Sequence, residues 1–344
     1  MITKEESKQL QGLAILAMLC LHLFCTRTPQ YTPLLYVTGV PLVYFIGQAS
    51  DFCVMAYCFC SGYGLMAAYE NASNRGEGYF LGRCRSLLRF LLNYWVILFL
   101  FGFTSLLLGK GKEWLGSSSV FIGNFITVGY SYNGAWWFVS TYLFMVLLSP
   151  FVFKAVKRYS RVTALMAIFA YICGYAIRFR SGCSINIVQH LARLAMSYAE
   201  LLIGTYFYTC KWMDSIQNVW IRIIPERLRT VSLVEICVVT VIIRRYVPTL
   251  FVAPASGMIF IVSYLLIART HKKPGTIFLF LGKHSINIWL VHMFFYLSRY
   301  GGIAYIAKYP VLILIFLLSI CICVSYVIKG CMIYTERLSK NLAY

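Results

Sequence analysis

Long apolar segments separated by short polar stretches recur along the whole chain. Crossing about 30 Å of hydrocarbon takes a helix of roughly 17 to 25 residues, and ten segments are candidates for such spans, two of them short. The candidates lie at 9–25, 51–69, 87–109, 135–153, 162–178, 189–210, 231–243, 255–268, 275–298 and 309–333. The pattern predicts an all-α fold, a polytopic membrane bundle of about ten helices in a single domain over residues 1–344.

Composition supports a membrane protein over a soluble one. Of the 344 residues, 60% are hydrophobic and only 12% are charged, which excludes an ordinary soluble domain. The net charge of +20 would suggest a nucleic-acid partner in a soluble chain. Here most Lys and Arg residues lie in the polar stretches that share one side with the N-terminus, so we expect both termini in the cytoplasm, contact with membrane lipids and no nucleic-acid partner.

The 13 cysteines lie mostly in apolar runs and show no zinc or disulfide spacing. Buried free thiols behave as small apolar side chains. We therefore predict that the cysteines are packing residues and that the chain has no metal site.

An imidazole in the middle of the first apolar segment is the first candidate for chemistry. An ionisable group is costly in hydrocarbon, so His22 is expected to serve in chemistry, a relay or binding. Gln11 lies eleven positions earlier, about 16 Å along a helix and within roughly 20° of the same face. Lys8 extends that face by one turn. The alternative is a histidine that only hydrogen-bonds a neighbouring helix.

Arginines cluster before the third segment, at Arg83, Arg85 and Arg89. Arg85 and Arg89 have the i, i+4 spacing that places side chains on one helix face. Guanidinium groups at a helix start suit phosphate oxygens, because charged paired donors and free backbone N–H groups meet there. Positive-inside anchoring also explains the same residues.

Two later segments carry polar residues at helical spacing. The sixth segment contains Arg193 and Glu200, two turns apart, and the ninth contains Ser285 and His292, seven residues apart on one face. Such groups either hydrogen-bond between helices or line a polar cavity.

Five pieces in order along the chain resemble the acyltransferase 3 family of integral-membrane acyltransferases. They are the first segment with Gln11 and His22, the Ser61-Gly62-Tyr63 step, the arginine cluster, the Trp136-Trp137-Phe138 helix, and the run from Gly282 and Ser285 to His292. The chain also departs from the family. Gln11 stands where the family usually has a basic residue, with Lys8 as a candidate substitute, and Ser86 falls where one alignment would put an Arg.

The resemblance implies transfer of an acyl group, most often acetyl from acetyl-CoA, to a hydroxyl of a surface glycan or lipid-linked sugar at the bacterial cytoplasmic (inner) membrane. It implies that His22 is the general base. The residues expected to bind the acyl-CoA are Lys8, Gln11, Arg83, Arg85 and Arg89. Those expected to line the substrate cavity are Ser61, Trp137, Arg193, Glu200, Ser285 and His292.

Two other functions fit the same residues. A transporter or flippase for an anionic or polyprenyl-linked substrate also uses intramembrane His, Arg and Glu. A non-catalytic membrane protein that binds acyl-CoA or lipid is the other alternative.

Overall fold

A computed structural model describes residues 1–26, 30–76, 78–111, 115–183, 185–247, 249–271, 275–297 and 302–341. Within these ranges the chain is almost entirely helical, with one two-residue antiparallel pair, β1 (Tyr36–Val37) with β2 (Val40–Pro41). The helices are α1 (Lys4–Phe24), α2 (Leu42–Ala49), α3 (Cys53–Arg75), α4 (Tyr79–Leu107), α5 (Ser118–Phe125), α6 (Trp137–Arg158), α7 (Ser160–Phe179), α8 (Asn186–Thr209), α9 (Trp212–Ile223), α10 (Arg229–Tyr246), α11 (Ala253–Thr270), α12 (Gly275–Tyr296) and α13 (Pro310–Asn341).

The all-α membrane fold predicted from the sequence is confirmed. Each of the ten predicted segments falls on a helix, although residue 298, the last of the ninth, lies outside the described residues. Eight spans in the described chain are long and apolar enough to cross a membrane. The predicted segments 189–210 and 231–243 are not among these eight. Polar residues lower the mean hydropathy of α8, and α10 carries charges at both ends.

The chain divides into two compact units. The first consists of residues 1–29, 33–79 and 147–283, and the second of residues 30–32, 80–146 and 284–344. Helix α12 begins in the first unit and ends in the second.

Helix α1 begins at a capping box. The Thr3 side chain accepts a hydrogen bond from the Glu6 backbone N–H at 3.1 Å, and the Thr3 backbone N–H donates to Glu6 Oε2 at 2.7 Å. These two bonds satisfy backbone groups that a helix start leaves without partners. Glu6 also accepts from Arg269 Nε of α11 at 2.6 Å, so the same carboxylate joins the start of α1 to the end of α11.

Glycines bring the helices of the first unit into close contact. A Cβ on Gly62 of α3 would lie 1.9 Å from the carbonyl oxygen of Leu201, and one on Gly204 of α8 would lie 2.1 Å from that of Phe59. The same occurs between α1 and α12, where a Cβ on Gly12 would lie 1.9 Å from the Phe278 oxygen. In lipid, helices associate largely through packing, and small residues permit the closest approach.

Aromatic packing dominates the second unit. The ring of Tyr94 on α4 lies edge-on to Trp136 with centroids 4.8 Å apart. The Phe101 ring stacks on Phe294 of α12 at 4.1 Å. Tyr94 and Trp136 are buried, and each polar tip has a partner: Tyr94 donates to the Asn124 carbonyl at 2.6 Å and Trp136 Nε1 to the Leu290 carbonyl at 2.9 Å. Aromatic rings thus provide packing area while their polar atoms remain hydrogen-bonded.

We predict that Gly62→Ala destabilises the protein. The added methyl group would overlap the Leu201 carbonyl of α8, and overpacking of this kind costs about 1–3 kcal/mol. Thermal unfolding of the purified protein in detergent measures the effect as a lower melting temperature.

Gly64→Ala is the matched control, because it lies on the same helix and nothing lies within 4 Å of its added Cβ. That variant should be as stable as wild type or slightly more stable, since alanine favours a helix over glycine by about 0.5–1 kcal/mol. Equal melting temperatures for the two variants would show that the α3–α8 contact tolerates a methyl group.

Candidate functional site

Lys8 and Gln11 act as a pair on α1. The Lys8 ammonium donates to Gln11 Oε1 at 2.9 Å, as their spacing of three residues allows. The Gln11 amide oxygen therefore holds the positively charged Lys8 ammonium beside the Gln11 side chain. Lys8 remains the candidate substitute for a basic residue at position 11.

His22 lies close to the opposite end of α1 and is half-buried. Helix α2 packs across this end of the helix: a Cβ on Gly47 would lie 2.9 Å from the Cys25 backbone nitrogen and 3.0 Å from the Cys20 carbonyl oxygen. The close approach of α2 shields the last turn of α1. The imidazole therefore occupies a partly enclosed place near one end of a membrane-spanning helix.

Ser61 lies on α3, one turn after Tyr57, whose hydroxyl reaches α1. The Tyr57 hydroxyl donates to the Gln11 carbonyl at 3.4 Å, and the Ser61 hydroxyl donates to the Tyr57 carbonyl at 2.8 Å. The Ser61 hydroxyl is thus bonded within α3, and the contact with Gln11 is made by Tyr57.

Glu200 is buried in the contact between α8 and α3. Its side chain is 6% exposed, and it accepts a hydrogen bond from the Cys58 thiol, which also contacts the Ser197 hydroxyl. Arg193, two turns earlier on α8, is half-buried. Glu200 thus bonds to a neighbouring helix, and hydrogen bonding between helices is one of the two roles that the sequence left open.

The three arginines of α4 differ in their surroundings. Arg83 is half-buried and interacts electrostatically with Tyr142 of α6, whereas Arg85 and Arg89 are exposed. The buried face of α4 runs through Leu87, Phe90, Tyr94, Ile97 and Phe101, and Arg83 continues it by one turn. The spacing of these apolar residues was visible in the sequence and would have separated Arg83 from the other two.

A chain of buried polar side chains in the second unit was not predicted. Asn93 of α4 donates to the Asn287 side chain at 2.8 Å, and Asn287 donates to Ser325 Oγ at 3.0 Å. His284 Nδ1 lies 2.9 Å from the same hydroxyl and 3.5 Å from the Lys329 ammonium. His284 and Asn287 lie close together in the sequence, but Asn93, Ser325 and Lys329 come from distant segments, so only the packing of three helices reveals the group.

The other predicted residues of the second unit lie on α12 and at the start of α6. Ser285 and His292 are fully buried, and Trp137 is half-buried. His292 Nδ1 is 2.8 Å from the Trp289 carbonyl, which can only accept, so this nitrogen carries the proton. In a neutral ring the lone pair then lies on Nε2, the form that a base or hydrogen-bond acceptor needs.

The structure therefore assembles part of the predicted site within each unit. In the first unit it joins Lys8 to Gln11, bonds the Ser61 hydroxyl within α3, and places Glu200 and His22 elsewhere. In the second unit it gives Arg83 a different environment from Arg85 and Arg89. It also shows a chain of hydrogen-bonded polar side chains from Asn93 to Lys329, which passes through α12, the helix of Ser285 and His292.

Comparison with known proteins identifies the family. Residues 6–329 match the model of the acyltransferase 3 family, described as an acyltransferase domain. No curated protein and no solved structure matches the chain. Because the match extends over nearly the whole chain and the fold consists of membrane-length helices, the protein belongs to the acyltransferase 3 family and is a membrane acyltransferase.

Proposed function

We propose that the protein transfers an acyl group, most often acetyl, from acyl-CoA to a hydroxyl of a cell-surface or lipid-linked glycan at the bacterial inner membrane. The proposal rests on two features of α1. One is the half-buried imidazole of His22, and the other is the positive Lys8 ammonium bonded to the Gln11 side chain. Membership of an acyltransferase family favours this function over a transporter or a binding protein.

In this mechanism His22 acts as general base. A sugar hydroxyl is a weak nucleophile until its proton is removed, and a neutral imidazole is suited to this task near pH 7. The proton passes to His22, the hydroxyl oxygen forms a bond to the acyl carbon, and the carbon–sulfur bond breaks. CoA leaves as a thiolate, which then takes up a proton.

Cationic side chains would hold the CoA phosphates. Guanidinium forks bind phosphate in pairs of charged hydrogen bonds, and Arg83, Arg85 and Arg89 offer three at one end of α4. Arg83 is the strongest candidate of the three, because it is held against the protein interior near Tyr142 and loses less freedom when it binds.

A thiol-release assay tests the reaction itself. Purified protein in detergent should release free thiol from acetyl-CoA when a hydroxyl acceptor from a panel of glycans is present. A transporter would release none, and a non-catalytic binding protein would bind CoA without turnover across the whole panel.

We predict that His22→Ala inserts and folds as wild type but loses at least about 10²-fold in the rate of acyl transfer, the usual contribution of a general base. The matched control is His271→Ala. His271 follows the end of α11, is exposed, and is hydrogen-bonded to Thr230 of α10. Wild-type turnover in the His22 variant would remove this histidine from the mechanism.

We predict that Arg83→Lys weakens acetyl-CoA binding, because lysine keeps the charge but loses the bidentate fork. Arg85→Lys and Arg89→Lys should weaken it as well, and less than Arg83→Lys. Equilibrium binding of acetyl-CoA to each purified variant measures the order. Equal affinity in all three variants and wild type would mean that the arginines only anchor the topology.

We predict direct transfer from CoA to the acceptor, with no covalent acyl-enzyme. The long pantetheine arm can itself reach a buried group, and an acyl-imidazole open to water would hydrolyse. Protein incubated with labelled acetyl-CoA alone should therefore carry no label after a rapid quench. Stoichiometric acetyl on the His22 peptide, discharged by acceptor, would instead establish a two-step route with ping-pong kinetics.

A further inference from the structure

An apolar crevice lies on the surface of the first unit, between α7, α8 and the start of α11. It has a volume of about 380 Å³, within the range of ligand-binding pockets. Alanines at 164, 167, 199 and 255 line it, and Ile168 and Ile172, both exposed, lie on the lining contributed by α7. Only 11% of the membrane-length window of α7 is buried within the protein. The crevice therefore opens on a helix that faces the hydrocarbon.

Three polar side chains of the lining, Tyr171, Tyr206 and Glu200, are bonded to other parts of the protein. The Tyr206 hydroxyl donates to the Ser160 carbonyl at 2.6 Å, and the Tyr171 hydroxyl donates to the Leu250 carbonyl at 3.0 Å. Glu200 accepts from the Cys58 thiol of α3. The lining therefore offers ring faces and methyl groups rather than hydrogen bonds, so its ligand is a hydrocarbon chain and not a sugar.

The end of the crevice at Tyr206 and Trp212 is bordered by positive charge. The bond between Tyr206 and Ser160 fixes the end of α8 against the start of α7, and Arg161 and Lys211 stand beside these residues. Both cations are exposed, and neither has an acidic partner in the described part of the chain. The positive end of the α7 dipole, which no side chain caps, adds to the attraction for an anion.

We propose that the crevice binds an anionic phospholipid from the leaflet around this end of α7. One acyl chain lies along the lining from Ala164 to Ile172, about 12 Å of helix, and the phosphate lies against Arg161 and Lys211. An exposed cation near a membrane surface contributes enough to favour an anionic over a neutral headgroup by about fivefold. The test of this site needs no enzyme activity.

Photolabelling of the full chain in phosphatidylcholine nanodiscs tests the proposal. The probe is phosphatidylglycerol with a diazirine on one acyl chain, compared at equal mole fraction with phosphatidylcholine carrying the same diazirine. The phosphatidylglycerol probe should label peptides of α7, α8 and α11 more strongly. Equal labelling by both probes would mean that the crevice accepts bulk lipid without regard to the headgroup, and would overturn the proposal.

Variants separate the chain from the headgroup. Ala255→Trp fills the crevice and should reduce labelling about tenfold, the effect of losing burial of about two methylene groups. Ala164→Phe serves the same purpose if the first variant does not fold. Ala176→Trp is the control, an exposed alanine on α7 outside the crevice, and should label as wild type. Undiminished labelling in the filled variants would overturn the proposal.

Arg161→Gln and Lys211→Gln should each reduce phosphatidylglycerol labelling about fivefold and leave phosphatidylcholine labelling unchanged. Arg180→Gln, at the other end of α7, is the matched control. Unchanged labelling in both variants would contradict a headgroup site. Displacement of the probe by an isoprenyl phosphate and not by unlabelled phosphatidylglycerol would assign the crevice to an isoprenoid and equally overturn the proposal.

Discussion

A polar side chain inside a membrane-spanning bundle needs a partner within the protein, because hydrocarbon supplies none. The ion pair between Asp51 and Arg244 illustrates this constraint, with side chains only 4% and 3% exposed. Arg244 also donates to the carbonyls of Val247 at 3.0 Å and Thr249 at 2.6 Å, beyond the end of α10. One guanidinium thus binds one oxygen of a buried carboxylate and two backbone carbonyls, which joins the α2–α3 junction to the end of α10. Removing one member of such a pair leaves an uncompensated charge, so the pair fixes where these segments meet.

The same constraint distinguishes structural polar groups from candidates for chemistry. Glu200 is bound to Cys58, and Asn287 links Asn93 to Ser325, so these groups hold helices together. An intramembrane polar residue is therefore not by itself evidence of a substrate site. His22 belongs to a different environment, half-buried near the end of α1 where the short helix α2 closes over the last turn. A base that must exchange a proton with substrate needs such partial access.

The sequence predicted the helices well because each span needs a long apolar run, and that run is local information. It also predicted that Lys8 and Gln11 share a face, since the i, i+3 relation depends only on helix geometry, and the bond of 2.9 Å bears this out. The partners of Glu200, Asn93 and Asn287 depend instead on which helices approach closely. That approach is set by glycine contacts such as Gly62 with Leu201, in which residues far apart in sequence meet. The spacing of apolar residues along one helix does not indicate which other helix packs against it.

The departure at position 11 has a physical explanation in the pair with Lys8. A basic residue at position 11 would place its charge on that face of α1. Lys8 lies one turn earlier, and its side chain reaches the Gln11 amide, so its ammonium stands at the tip of the Gln11 side chain. Two residues thereby fix one positive charge at position 11. The amide oxygen also restricts the lysine, which would otherwise sample many rotamers, so the charge is held in position before any anion binds. A binding site depends on where the charge lies, and the proposed acyl-CoA site would find the Lys8 charge already fixed on this face of α1.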